Sequence, residues 1–258
     1  MSDVNKLFRN RIGISDNEVI TFENLSLVLE KVAKTIPFEN MCIIENKTTE
    51  ISKANLIKKL LVQNEGGLCY ELNTILYQFL IENGFNTSQI RGATYDQVNQ
   101  RWSPVGKTHV FNLVLHHGQL SIVDTGFGGN LPLKPVPLNG EIITSQNGDF
   151  RVVHEESEHG DLIFYMKLKH KDQEWKKGYA FQSNTRIEHV SEINDVQKII
   201  VEHPASPFNK KPIITRITDK GNMTLTETSF TEWVDGNIEK EDIDEKRFKI
   251  IAKENFGL

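Results

Sequence analysis

The stretch "NEGGLCYELNTILYQFLIENG", Asn64 to Gly84, decides how the chain is read. Leu68, Leu72, Ile75, Leu76, Phe79 and Leu80 recur at helical spacing, and Asn83-Gly84 ends the pattern. The helix so predicted carries Cys69 on its first turn, just after a Gly-Gly entry. First-turn N–H groups have no intrahelical acceptor and form the positive end of the helix dipole. A thiol placed there is biased toward thiolate, the nucleophilic form. The same sulfur shares a face with Leu72, Leu76 and Leu80, which equally suits an inert core cysteine. The helix alone leaves both readings open.

Two more helical patterns precede it. Leu25, Val28, Leu29, Val32 and Ile36 fall on one face and Pro37 stops them. Leu56, Ile57, Leu60 and Leu61 form a second stripe, with Ser52 placed to cap it. From about Arg91 the pattern turns to short extended segments. "THVFNLVL" and "QLSIVDTG" flank "HHG", "DFRVVHEE" and "DLIFYMKLKH" flank "SEHG", and "EWKKGYAFQ" adds a strand. After the connector "EHPASPFNKKP" comes a hairpin about Lys220-Gly221, and "EKEDIDEKRFKIIAKENFG" is expected to close the chain as a charged helix. Helices followed by antiparallel strands and a mixed tail make an α+β protein.

Composition narrows the function. The 258 residues are 38% hydrophobic and 25% charged, as in ordinary globular proteins. A net charge of −5 with scattered lysines argues against nucleic acid as a partner. No signal-peptide core opens the chain and no apolar run is long enough for a membrane span, so the expected location is cytoplasmic. Cys42 and Cys69 make neither a disulfide framework nor a C-x-x-C pair. His154 and His159 in "HEESEH" lack a third ligand, and no metal is expected.

A thiolate catalyst needs a base and a group that orients the base. The first hairpin offers both, because His109 opens one strand and Asp124 closes the other. With a His116-His117 turn the two lie directly opposite. With a His117-Gly118 turn they sit one diagonal apart. In either register both project from one face, with β-carbons roughly 5 to 8 Å apart. A loop of odd length would put them on opposite faces. The glycines of "DTGFGG", Gly126, Gly128 and Gly129, belong to neither a Walker nor a dinucleotide fingerprint. They suit a bulged strand end or a close backbone approach to a ligand.

Taken together, these motifs resemble the arylamine N-acetyltransferase family of prokaryotic type, over nearly the whole chain. "LFRNRIG" (Leu7 to Gly13), "PFEN" (Pro37 to Asn40), "GGLCYELN" (Gly66 to Asn73), "HVFNLV", "VDTGFG" and "HPASPF" follow the family's order. The resemblance implies Cys69 as nucleophile, His109 as base and Asp124 as orienting carboxylate. It implies a papain-like, transglutaminase-like fold: a helical bundle (1–88), an antiparallel β-barrel (89–197) and an α/β lid (198–258). Acetyl-CoA would be the donor and an arylamine, arylhydrazine or N-hydroxyarylamine the acceptor, through an acetyl-cysteine and ping-pong kinetics. Gly106 and Thr108 of "SPVGKTH", with Gly126, Gly128 and Gly129, would line the CoA and acceptor cleft. Phe38 and Phe127 match positions that shape the acceptor pocket.

One position departs from the family. Glu65 stands where relatives carry an arginine that pairs with the glutamate of "PFEN", here Glu39. Either another cation neutralises Glu39 or Glu65 turns to solvent. The same three residues would also serve a cysteine hydrolase, a transglutaminase-like enzyme or an amide synthase, and a silent binding protein on this fold is the remaining alternative.

Overall fold

The computed structural model describes residues 3–258. The chain begins with α1 (Asp3–Ile12), α2 (Leu25–Thr35), β1 (Phe38–Glu39) and α3 (Met41–Ile44). Then come α4 (Lys53–Leu56), which runs on as a π-helical turn (Ile57–Val62), and α5 (Cys69–Glu82). The central part contains β2 (Asn86–Asp96), β3 (Arg101–Trp102), β4 (His109–His116), β5 (Gln119–Val123), β6 (Val136–Pro137), β7 (Ile143–Ser145), β8 (Gly148–Ser157), β9 (Gly160–Leu168) and β10 (Lys176–Phe181). The helix α6 (Val190–Glu202) leads to β11 (Ile213–Ile217), β12 (Gly221–Thr226), β13 (Ser229–Val234), β14 (Asn237–Asp242) and α7 (Glu245–Ile251).

The helix read from the opening stretch sits at the centre. Every residue of α5 from Cys69 to Leu76 is buried, with Phe79 and Leu80 beyond. A helix buried all round must find partners for its polar residues as well as its apolar ones. Glu71, Asn73 and Thr74 are those residues, and the first two shape the site described below. The helix ends as expected at Asn83, followed by Gly84 at φ +84°. Ser52 caps α4 by accepting from the Asn55 N–H at 3.2 Å.

The strands β6-β5-β4-β2-β10-β9-β8-β7 form one antiparallel sheet in that order, with β3 beside β2. It curls until β6 touches β8, making a nearly closed barrel. Phe111, Phe150, Phe164, Tyr179 and Phe181 fill the interior without exposure. A second sheet, β1-β11-β12-β13-β14, lies against the helical part through contacts of β11 with α2. Its edge strand is "FE" of the "PFEN" motif, with Phe38 opposite Thr215. Asn40 clamps that junction: its amide donates to the Phe208 and Lys211 carbonyls at 2.8 and 2.9 Å and accepts from the Ile213 N–H.

Three local expectations are corrected. The extended region begins at Asn86 rather than Arg91. Residues 190–202 form a helix that the sequence reading left out, held to the bundle by Ile193, Val196 and Ile200. The terminal helix starts only at Glu245, because Asp235 (φ +50°) and Gly236 (φ +87°) turn the chain into the β13–β14 hairpin. Asp244 then caps the shorter helix by accepting from the Arg247 N–H at 2.8 Å.

Candidate active site

The hairpin register settles the first geometric question. His116 pairs with Gln119 and Asn112 with Val123, so His117 (φ +48°) and Gly118 (φ +80°) form the two-residue turn. His109 and Asp124 are therefore one diagonal apart on the same face. The Nε2 of His109 lies 2.8 Å from Oδ2 of Asp124, and both side chains are buried. This leaves Nδ1 of the ring free of Asp124, and the nearby Cys69 sulfur, which borders the same cavity as His109, helps to raise the imidazole. Cys69 is 6% exposed and its sulfur also lies 3.6 Å from the Thr108 carbonyl.

Each charge in this chain has a physical cause. Burial works against a charged His109, yet the Asp124 carboxylate and the Cys69 sulfur outweigh it and lift the imidazole to about 10. Burial likewise pushes Asp124 up, but His109, the Gly126 N–H and the Asn73 amide together hold it below the usual carboxylate range. Tyr179 completes the shell by donating to Oδ2 at 3.2 Å, and burial keeps its hydroxyl protonated. Its ring packs 4.6 Å from the imidazole.

Asn73 ties the helix to the hairpin. Its Nδ2 donates to Oδ1 of Asp124 and to the Val110 carbonyl, each at 2.8 Å, while its Oδ1 accepts from the Thr125 N–H at 2.9 Å. Asn73 and Tyr179 were not singled out from sequence. For Asn73 a signal existed, since it is the polar residue one turn beyond Cys69 on an otherwise apolar face. For Tyr179 there was none.

The sulfur opens on a cavity of about 170 Å³ walled by Phe38, Phe127, Phe208, Val105 and Thr108. Gly126 forms part of this wall and is pressed onto the nucleophile: a β-carbon there would lie 2.5 Å from Cα of Cys69. Of the residues expected to line a cleft, Phe38, Phe127, Thr108 and Gly126 meet at the cavity. Gly106 lies outside this wall, on the loop between Val105 and Thr108, in a left-handed turn (φ +71°). Gly128 backs onto the Phe38 ring, and Gly129 faces Thr215 of the second sheet.

The cation question is answered by Lys59, whose Nζ lies 3.7 Å from Glu39 and 2.6 Å from Glu71. The remaining candidates stay outside the site. Cys42 is half-buried, and burial pushes its thiol to about 12. His116 stacks on Phe22, His154, His170 and His189 are exposed, and His203 accepts from the Ala205 N–H. Among the described residues no group of three His, Cys, Asp or Glu side chains could hold a metal ion. No helix among them is long and apolar enough to cross a membrane.

A buried cysteine–histidine–carboxylate chain at a helix tip beside a small aromatic cavity defines a cysteine-dependent acyl-transfer site. Residues 21–258 match the family model described as N-acetyltransferase, and the chain belongs to that family. It is 37% identical over 250 residues to YvcN of Bacillus subtilis, described as an uncharacterized acetyltransferase, covering 96% of each chain. The crystal structure of arylamine N-acetyltransferase C from Bacillus anthracis matches with a TM-score of 0.94 at 39% identity, over 100% of this chain and 99% of that one. An arylamine N-acetyltransferase from Bacillus cereus matches equally, with a TM-score of 0.94 at 40% identity over the same shares, and its structure is described as revealing a Cys-His-Glu catalytic triad. The motif resemblance and the α+β fold read from sequence are thus borne out. Here the acidic partner of the histidine is Asp124, one methylene shorter than in the Bacillus cereus enzyme.

Proposed function

We propose that this protein transfers an acetyl group from acetyl-CoA to an arylamine, arylhydrazine or N-hydroxyarylamine through acetyl-Cys69. The observation that carries the reading is that buried Cys69 and His109 border one cavity, with Nε2 of His109 held 2.8 Å from the buried Asp124 carboxylate. Family membership and the Bacillus arylamine N-acetyltransferases support it.

In this reading His109 holds the proton and Cys69 attacks as thiolate. Asp124 fixes the ring so that Nδ1 faces the sulfur, and Asn73, Gly126 and Tyr179 fix Asp124. Attack on the donor thioester forms one thioester and breaks another, and the departing CoA sulfur takes the proton from His109. The amine then attacks acetyl-Cys69. His109 accepts the proton that the amine loses, and the Cys69 thiolate leaves, restoring the starting pair. The Cys69 N–H stands at the very start of α5, where the helix offers it no acceptor, and suits the developing oxyanion, whereas the Glu71 N–H is taken by the Leu68 carbonyl.

The cavity fits this division of labour. Its aromatic walls and small volume accept an acyl group and an aromatic ring, and they leave the nucleotide end of CoA outside. Residues 1–88 would supply the nucleophile, 89–197 the base and carboxylate, and 198–258 the covering lid of a cytoplasmic enzyme. Intact-mass measurement after mixing with acetyl-CoA tests the proposal. One acetyl group should appear, vanish when an arylamine is added, and be absent in Cys69→Ser. An unmodified wild-type protein, or acetylation that persists in Cys69→Ser, would refute it.

A further inference from the structure

Behind the nucleophile lies a buried charge cluster that the chemistry above does not use. Phe38 and Cys69 border the active-site cavity. Glu39 and Glu71, one and two residues further on, instead border a larger cavity of about 510 Å³ on the other side of the α5 tip. Lys59, from the π-helical turn after α4, stands between the two carboxylates and is only 12% exposed.

Three segments converge on its ammonium. Nζ donates to Oε1 of Glu71 at 2.6 Å and to the Cys42 sulfur at 3.3 Å, and lies 3.7 Å from Oε1 of Glu39. The second oxygen of Glu71 accepts from the Leu68 N–H at 3.0 Å, which closes the first turn of α5 one residue before Cys69. Glu39 accepts from the Met41 N–H through its side chain and donates its own N–H to the Gly67 carbonyl at 3.0 Å. Gly67 in turn donates to the Pro37 carbonyl, and a β-carbon on Gly66 would lie 2.2 Å from that same oxygen. The Gly-Gly entry is thus held by hydrogen bonds to 37–39 on one side and by Glu71 on the other. Lys59 is the charge common to both.

Neither carboxylate is at ease without it. Burial lifts Glu39 to about 7 even with Lys59 pulling downward, and Glu71 and Glu65 add repulsion. Removing the ammonium would leave two buried acids facing one another at the base of the catalytic helix.

The geometry points to Lys59 as a positioning residue for acyl transfer: through Glu71 it fixes the first turn of α5, and so the Cys69 sulfur, against His109. The assignment rests on Cys69 being the nucleophile. A displacement of about 1 Å at a reacting atom costs about 10²-fold in rate, which sets the size of the effect.

The test compares Lys59→Met and Lys59→Arg with wild type at a temperature where all are folded by circular dichroism. Two rates are read: iodoacetamide alkylation at Cys69 by peptide mapping, and acetyl-Cys69 formation from acetyl-CoA. Lys59→Met should slow both about 10²-fold, with acceptor KM changed less than about twofold. Lys59→Arg should recover to within about threefold. If Lys59→Met does not fold, Lys59→Met with Glu39→Gln removes the excess buried charge and should still show the loss, since the Glu71 anchor is gone. Variants that melt lower yet alkylate and acetylate at wild-type rates would overturn the proposal, as would an Arg variant no faster than Met. A wild-type protein that alkylates but never acetylates refutes the transferase reading, and the alkylation ratio still decides the role of Lys59.

Discussion

Asp124 and Glu39 are both buried carboxylates facing a buried cation, at 1% and 2% exposure, and their protons behave in opposite ways. Asp124 has four donors of its own: His109, Asn73, the Gly126 N–H and Tyr179. Together they overcome burial and keep it ionised. Glu39 has the Met41 N–H and a share in a lysine that sits closer to Glu71, and its carboxyl rises to about 7. Burial is common to both, so the number and proximity of donors decides the charge. One acid is built to stay charged beside an imidazole. The other is held near the point of neutralisation.

The sharpest way to break the contrast is Asp124→Asn. It keeps the shape but removes the charge that fixes the imidazole, and kcat should fall about 10²- to 10⁴-fold. The same variant carries a thermal signature. His109 is raised from 6.5 to about 10, so its stabilisation is full below about 6.5 and is lost as pH rises toward 10. The wild-type melting temperature should drop through that window, and Asp124→Asn should flatten the drop.

Tyr179→Phe removes one of the four donors and leaves the aromatic packing. A net loss of about 0.5–1.5 kcal/mol is expected, seen as roughly a two- to tenfold fall in kcat/KM. Glu39→Gln is the smallest perturbation to activity, within about threefold. Its effect belongs to stability at lower pH. The raised Glu39 pKa stabilises the fold fully below about 4.5 and ceases to do so as pH passes 7. The Gln variant should lack that part of the decline, while the window above 7 should be unchanged. Melting curves of the two variants across pH would separate the two acids.

The catalytic half of this comparison was largely legible in the sequence. Period and spacing place Cys69 at a helix start and His109 and Asp124 across the open end of a hairpin, and the family resemblance assigns their roles. Loop length and register were open in the sequence, and the two-residue His117-Gly118 turn fixes both. The other half was not legible. Lys58 and Lys59 are adjacent and chemically alike, and nothing in their spacing tells that the second is turned inward while the first stays exposed. Tyr179 reaches Asp124 only because β10 lies beside β2 in the closed barrel. The early start expected for the terminal helix has a similar origin, since the charged residues 239–242 are compatible with either an edge strand or a helix. Asp235-Gly236, just before that run, is the local cue for a hairpin that extends the strand pattern into it.

The seating of Gly126 against Cys69 has an evolutionary consequence. A methyl group there would displace the nucleophile itself, so position 126 cannot carry a side chain that reshapes the site. Drift in acceptor range is expected instead at the aromatic lining, at Phe38, Phe127 and Phe208.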